Sequence, residues 1–327
     1  MPDSGKLLIY YRRSIRTSFF LVLFLVLIGG LVRSTGAGMG CPDWPKCFGL
    51  WIPPTHISEV PQKYWNDPLS SINGQLIFNP IKTWTEYLNR LLGVVIGFSI
   101  LVQFVLSIYG RKNSQSFLFS ILALVLVIFQ GWLGAKVVST DLKPIIISVH
   151  LFVALLIAFS LLAALFTTRV KPDIASPYPA KRYSGIILWV TSIGLFIQFF
   201  LGTEVRSQVD VLFRSYDFGS RELYRDQLDI VFLVHRSASI LIFILTFLQI
   251  ILLGKQLPIK HFYQAVYPFL LTILLIFTGI VLAYLGFPAF VQPFHLFMGF
   301  SILCVQFWLI LHSRFSVFAS DGSAPKT

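Results

Sequence analysis

Eight long apolar runs divide the chain, at roughly 17–33, 86–109, 117–138, 145–168, 185–203, 229–253, 265–285 and 291–312. A helix needs about 20 mostly apolar residues to cross the hydrocarbon core, and each run is near or above that length. Hydrophobic residues make up 56% of the chain and charged ones 12%, with a mean hydropathy of +0.77. A soluble domain of 327 residues could not cover that much apolar surface. The first run has the position of a signal peptide. No clear small-residue cleavage site follows it and seven spans come after, so it is read as retained. The expected fold class is all-α integral membrane, with eight transmembrane helices as two pseudo-symmetric four-helix bundles.

Charge placement orients the spans. Lys6, Arg12, Arg13 and Arg16 precede the first. Arg111 and Lys112, then Arg169, Lys171, Lys181 and Arg182, then Lys255 and Lys260 sit in short loops with almost no acids. By the positive-inside rule these loops and both termini face the cytoplasm, which predicts a multi-pass protein of the cell inner (plasma) membrane. The loop at 204–228 interleaves Arg206, Arg214, Arg221 and Arg225 with Glu204, Asp210, Asp217, Glu222 and Asp226, and belongs outside with the loop at 34–85. The net charge of +12 is thereby mostly a label for topology, and no nucleic-acid partner is expected.

An internal repeat divides the chain in two. Val32-Arg33-Ser34 closes the first span and Val205-Arg206-Ser207 the fifth. Asn89-Arg90 opens the second and His235-Arg236 the sixth; His150-Leu-Phe opens the fourth and His295-Leu-Phe the eighth. The predicted units are 1–169 and 185–313, joined by a Pro-containing linker at 170–184, with a disordered cytoplasmic tail at 314–327.

Within that frame Asn89 and His150 are 61 positions apart, and His235 and His295 are 60 apart. Two histidines on facing helices at equal depth supply the two axial ligands of a haem iron. The first half has the same frame with one histidine replaced by asparagine, so one half would store a haem and the other work on one. Ionisable groups at this depth are costly and are functional candidates by default; the competing reading of each is a hydrogen-bonded structural histidine. Zinc would want three or four clustered ligands, and no cysteine or third histidine accompanies His235 and His295. Gly93, Gly97 and Gly299 would suit a flat macrocycle between helices, and equally plain helix packing. His56, His261 and His312 read as solvated or interfacial residues, and Cys304 as an inert packing thiol.

Glu86 lies three positions before Asn89, on one helix face with it. It is either an interface carboxylate paired with Arg90 or a lysine, or an acid held beside a substrate to move a proton or steady a developing positive charge. Cys41 and Cys47 flank Pro42-Asp43-Trp44-Pro45-Lys46 in the first outer loop. An oxidising exterior favours a disulfide between them, worth about 2–3 kcal/mol for so small a ring; a redox role is the other reading.

The stretch Gly30-Leu-Val-Arg-Ser-Thr-Gly-Ala-Gly-Met-Gly-Cys-Pro-Asp-Trp-Pro-Lys-Cys47 resembles the first-loop signature of haem A synthases, in the bacterial subgroup with a cysteine pair. Glu86-Tyr-Leu-Asn-Arg90 is similar to that family's Glu-x-x-His-Arg motif, and the segments around His150, His235-Arg236 and His295 match its other histidine motifs. The resemblance runs from about Gly29 to Gly299. It implies oxidation of a methyl group of haem O to a formyl group, giving haem A for cytochrome oxidase. It further implies haem b on His235 and His295, His150 as the surviving substrate-side ligand, and Glu86 as the essential acid. The substrate-haem pocket would comprise Asn89, Arg90 and His150. Arg33, Arg206 and Arg236 would be propionate partners, since guanidinium pairs bidentately with carboxylate. Haem O synthase and cytochrome oxidase assembly factors are the implied protein partners, and membrane lipid the surroundings. The departure is Asn89, because an amide is a poor iron ligand.

Two other classes compete. A cytochrome b passing electrons from quinol would want two well-ligated haems, which Asn89 and the elaborate first loop oppose. A repeat-built transporter would want broken helices at mid-membrane, whereas the polar residues here cluster at span ends.

Overall fold

The structure is a computed structural model that describes residues 4–66, 71–72, 75–110, 114–168, 182–215, 224–254 and 262–320. Nearly all of it is helix: α1 (Ser4–Ser34), α2 (Pro80–Gly110), α3 (Ser114–Ser139), α4 (Pro144–Thr167), α5 (Arg182–Ser215), the single turn α6 (Tyr224–Gln227), α7 (Ile230–Gly254), α8 (Tyr263–Tyr284) and α9 (Val291–Ser320). Eight of these are long and apolar enough to cross a membrane. Helices satisfy their own backbone hydrogen bonds, as lipid requires, and the protein is a multi-pass membrane protein. The one sheet among the described residues is a two-residue hairpin, Ser71–Ile72 against Gln75–Leu76, in the first loop.

The chain divides into two compact units, Met1–Thr168 and Arg169–Thr327. In the first, α1 and α3 each pack against both α2 and α4, a closed ring in the order α1-α2-α3-α4. In the second, α5 and α8 each pack against both α7 and α9, the same ring with α6 as a turn in the connection. Each unit is thus a four-helix bundle with α2 facing α4, or α7 facing α9, across a diagonal.

Lipid offers no hydrophobic drive for helix association, so close packing must come from small residues and polar contacts. On α4 the buried alanines Ala154, Ala158, Ala163 and Ala164 let neighbouring backbones approach. Polar contacts are buried away from the histidines. Tyr11 Oη donates to the Ser116 carbonyl (3.0 Å) and Gln103 Nε2 to Ser120 Oγ (2.6 Å) in the first unit. In the second, Gln249 and Gln306 exchange amide hydrogen bonds at 2.9 and 3.3 Å.

Several helices outrun the apolar runs. Leu8, Tyr11 and Ile15 are buried and bring α1 back to Ser4, far ahead of position 17. The loop expected at 204–228 is helical to Ser215. The reason is packing: Val205 and Val209 are buried one turn apart, and Val209 with Leu212 meets Phe287, Leu228 and Leu282. Arg206 and Asp210 also form an i,i+4 ion pair there. At the other end α9 continues to Ser320, past the expected start of a disordered tail at 314, because no glycine or proline interrupts it before Gly322. Residues 321–327, Arg169 and most of the linker (170–181), His261, and the basic loop residues Arg111, Lys112, Lys255 and Lys260 lie outside the described residues. So do Asp217, Arg221 and Glu222.

Candidate functional site

In the second unit His235 on α7 and His295 on α9 face each other across the bundle diagonal, ring centroids 6.4 Å apart. The other diagonal supplies space. A Cβ on Gly202 of α5 would stand 3.0 Å from His235 Cε1, and one on Gly279 of α8 3.5 Å from His295 Cε1. Thr278 holds the ring of His295 through Nδ1. Its hydroxyl lies 2.9 Å from the Leu274 carbonyl and 2.8 Å from His295 Nδ1. With the proton on Nδ1, that contact would leave the Nε2 lone pair for a ligand, the usual orientation device at metal-binding histidines. Gln198 Nε2 donates to the His235 carbonyl (2.6 Å), tying that turn of α7 to α5.

This arrangement fits an iron between two imidazoles. A metal–imidazole bond is about 2 Å and the ring centre lies a little over 1 Å behind the nitrogen, so two such rings stand roughly 6–6.5 Å apart. Arg206 adds a second indication. Its Nε and Nη2 are buried without a hydrogen-bond partner, and Asp210 Oδ1 is 3.6 Å away. A buried guanidinium left that short of acceptors suits an anionic ligand group. Arg236 is exposed, its guanidinium 5.8 Å over the Phe232 ring. Arg33, at the end of α1, is partly buried.

The first unit repeats the plan with one change. Asn89 on α2 and His150 on α4 take the ligand diagonal, and Gly29 on α1 and Gly134 on α3 the other. A Cβ on Gly29 would lie 3.9 Å from Asn89 Oδ1, and one on Gly134 3.7 Å from His150 Cε1. Asn89 Oδ1 and His150 Nδ1 are both buried without a partner, and Gln130 Nε2 holds the His150 carbonyl at 3.0 Å. The four glycines and the two glutamines were not singled out from the sequence. Their signal is in the repeat: Gly29 and Gly202 each stand four before Arg33 or Arg206, and Gly134 and Gly279 each stand sixteen before the histidine. Gly93 and Gly97, by contrast, face open space, and Gly299 sits against Phe199.

The first loop folds onto α2. Cys41 and Cys47 form a disulfide and are fully buried in a small core with Phe48, Val60 and Tyr64. Phe48 and Gly49, both with positive φ, turn the chain so that Cys47 and Leu50 pair. Asp43 Oδ2 accepts from Gly49 N (2.9 Å) and Tyr64 Oη (3.3 Å); burial first and the Asp43 charge second hold the Tyr64 hydroxyl pKa above its ordinary value. Gly40 is required where it is, because a Cβ would stand 2.5 Å from the Lys82 carbonyl oxygen. Glu86 is buried at this junction: Oε2 accepts from Cys41 N (2.8 Å) and Oε1 from Arg90. Of the two readings open for Glu86 from sequence, its pairing with Arg90 is present.

A family model described as cytochrome oxidase assembly protein (COX15-CtaA) matches residues 12–307. The chain belongs to that family. A haem A synthase of Methylorubrum populi is 25% identical over 93% of this chain and 86% of its own length. Those of Ehrlichia canis and Shewanella oneidensis are 30% and 27% identical, over 56% and 53% of this chain. The chain spans about half the length of these last two relatives, 56% and 50%. Within the family match lie both ligand diagonals and the disulfide loop.

Proposed function

We propose that the protein is a haem A synthase, which oxidises a methyl group of haem O to a formyl group and so yields haem A for cytochrome oxidase. The observation that carries this reading is the inequality of the two diagonals. The rings of His235 and His295 are spaced so that they would hold an iron between them, whereas the matching positions of the first unit carry His150 and Asn89, which would give the iron of a substrate haem only one strong protein ligand.

In this reading His235 and His295 would hold haem b, with Thr278 orienting the His295 ring and Arg206 available to a propionate; haem b when bound would supply one-electron transfer. Arg33 and Arg236 are further propionate partners. His150 orients the substrate in the first unit. Its apolar tail stays in lipid and in the bundle. The methyl-to-formyl conversion removes four electrons and introduces one oxygen atom. Glu86, one turn before Asn89, serves the charge that develops at the reacting carbon. Its carboxylate is held from two sides, by Arg90 and by Cys41 N–H, which favours a stationary charge over a proton carrier that swings. The protein would sit in the cell inner membrane with both termini cytoplasmic, receive haem O from a haem O synthase, and hand its product to cytochrome oxidase assembly factors.

The test is co-expression with a source of haem O, followed by extraction and identification of the haems. Haem A that depends on this chain supports the reading. Stable haem b without haem A would favour an electron carrier instead.

A further inference from the structure

Arginines at the ligand end of such a bundle invite assignment to haem propionates, and Arg90 is one of them. Its donors tell otherwise. A guanidinium has five N–H groups. In this protein Nε donates to Glu86 Oε1 (3.1 Å), Nη1 to the carbonyls of Asp43 (2.6 Å) and Lys46 (3.1 Å), and Nη2 to the Cys41 carbonyl (3.1 Å) and again to Glu86 Oε1. All five are used. Three of the five bonds go to backbone carbonyls of the ring closed by Cys41 and Cys47. Glu86 completes the grip from its other oxygen by accepting from Cys41 N. The pair thus holds the disulfide ring from both its donor and its acceptor side, with Glu86 three residues before Asn89 and Arg90 directly after it.

We infer that Arg90 is a positioning residue: with Glu86 it clamps the Cys41–Cys47 ring onto α2 and so sets the loop beside Asn89, and it does not bind a substrate carboxylate. The equivalent place in the second unit supports this. Phe232 stands there where Glu86 stands in the first, and Arg236 is exposed, its guanidinium over the Phe232 ring and without a hydrogen bond or ion pair among the described residues. Where the carboxylate is absent, the arginine is not drawn into a clamp with any described residue. A lysine could still meet a propionate as a point charge. It could not span Glu86 and three carbonyls, because it lacks the planar fork.

The test uses the full-length protein in membranes or detergent and the variants Arg90→Lys, Arg90→Gln and Glu86→Gln. One readout is the rate at which a water-soluble thiol reductant opens the Cys41–Cys47 disulfide, followed by alkylation and mass spectrometry without haem O present. Releasing charge-assisted hydrogen bonds from a buried ring should speed reduction by about tenfold or more, and Arg90→Lys should be as fast as Arg90→Gln. The second readout, which rests on the haem A synthase reading, is the split between KM and kcat. Both Arg90 variants should lower kcat with little change in KM for haem O. Wild-type reduction rates in Arg90→Lys, together with a KM raised only in Arg90→Gln, would overturn the inference and return Arg90 to the propionates. A variant that does not fold is recognised by loss of the second-unit haem spectrum, and Glu86→Gln, which keeps shape and loosens the same ring, then decides. If the wild-type chain makes no haem A, the functional reading fails while the reduction rates still judge the clamp.

Discussion

The ligand-bearing ends of the two units are built on the same frame and put to different use. Glu86, Asn89 and Arg90 on α2 correspond in the repeat to Phe232, His235 and Arg236 on α7. In the first unit a carboxylate draws its arginine into a buried knot with the disulfide loop, and the residue between them is a poor metal ligand. In the second a phenyl ring leaves the arginine exposed, and the residue between them is a histidine facing another. In the proposed reading, two substitutions in one turn of helix therefore separate a site with two histidine ligands from one with a single histidine. Symmetry supplies the scaffold, and the difference in chemistry comes from residues that break it.

The strongest contrast is expected at the histidines. His235→Ala or His295→Ala should each abolish the low-spin spectrum of the resident haem, because either removes one of two axial ligands. Both variants keeping that spectrum would mean that the two rings do not share an iron. In the first unit Glu86→Gln keeps the shape and removes the charge; it should bind haem O and stall before the aldehyde. Asn89→Ala should retain part of the activity, and Asn89→His should make the first-unit iron more low-spin. Chromatography of extracted haems, alongside spectra, separates these cases. An Asn89→Ala variant that binds substrate normally yet makes no product would give the asparagine a direct part in the reaction. Arg206→Gln removes the buried guanidinium and should weaken haem retention in the second unit about tenfold or more, since hydrogen bonds to charged groups are worth about 1.5–3 kcal/mol. Retention under detergent titration measures it, and wild-type retention would remove Arg206 from the propionate partners. The smallest contrast lies between two glycines. Gly202→Ala would press a methyl to 3.0 Å from His235 and force the ring to move, whereas Gly134→Ala meets His150 at an ordinary 3.7 Å. Gly202→Ala should therefore shift the resident-haem spectrum, and Gly134→Ala should leave binding of haem O unchanged.

Much of this plan was legible in the chain because membrane helices carry long, uniform signals. The eight spans, the division into halves and the Asn89, His150, His235, His295 frame all depend on local composition or on repeated spacing. What was not legible depends on contacts between distant residues. The continuation of α5 to Ser215 follows from Val209 meeting Phe287, which no window of sequence around 204–215 contains. The glycines opposite the ligands were equally hidden, because a glycine reads as helix packing until the ring it makes room for is known. The hydrogen bonding of Arg90 was hidden for a related reason. An arginine beside a ligand position looks available for a carboxylate until its five donors are counted against the loop that folds over them.

The inequality of the two units is tested by one measurement on His150→Ala co-expressed with a haem O source: the optical spectrum of the purified protein together with the identity of its extracted haems. The account predicts an intact low-spin spectrum from the second unit, with haem b recovered and haem A absent. Haem A at the wild-type yield, or loss of the resident spectrum with His235 and His295 unchanged, would contradict it.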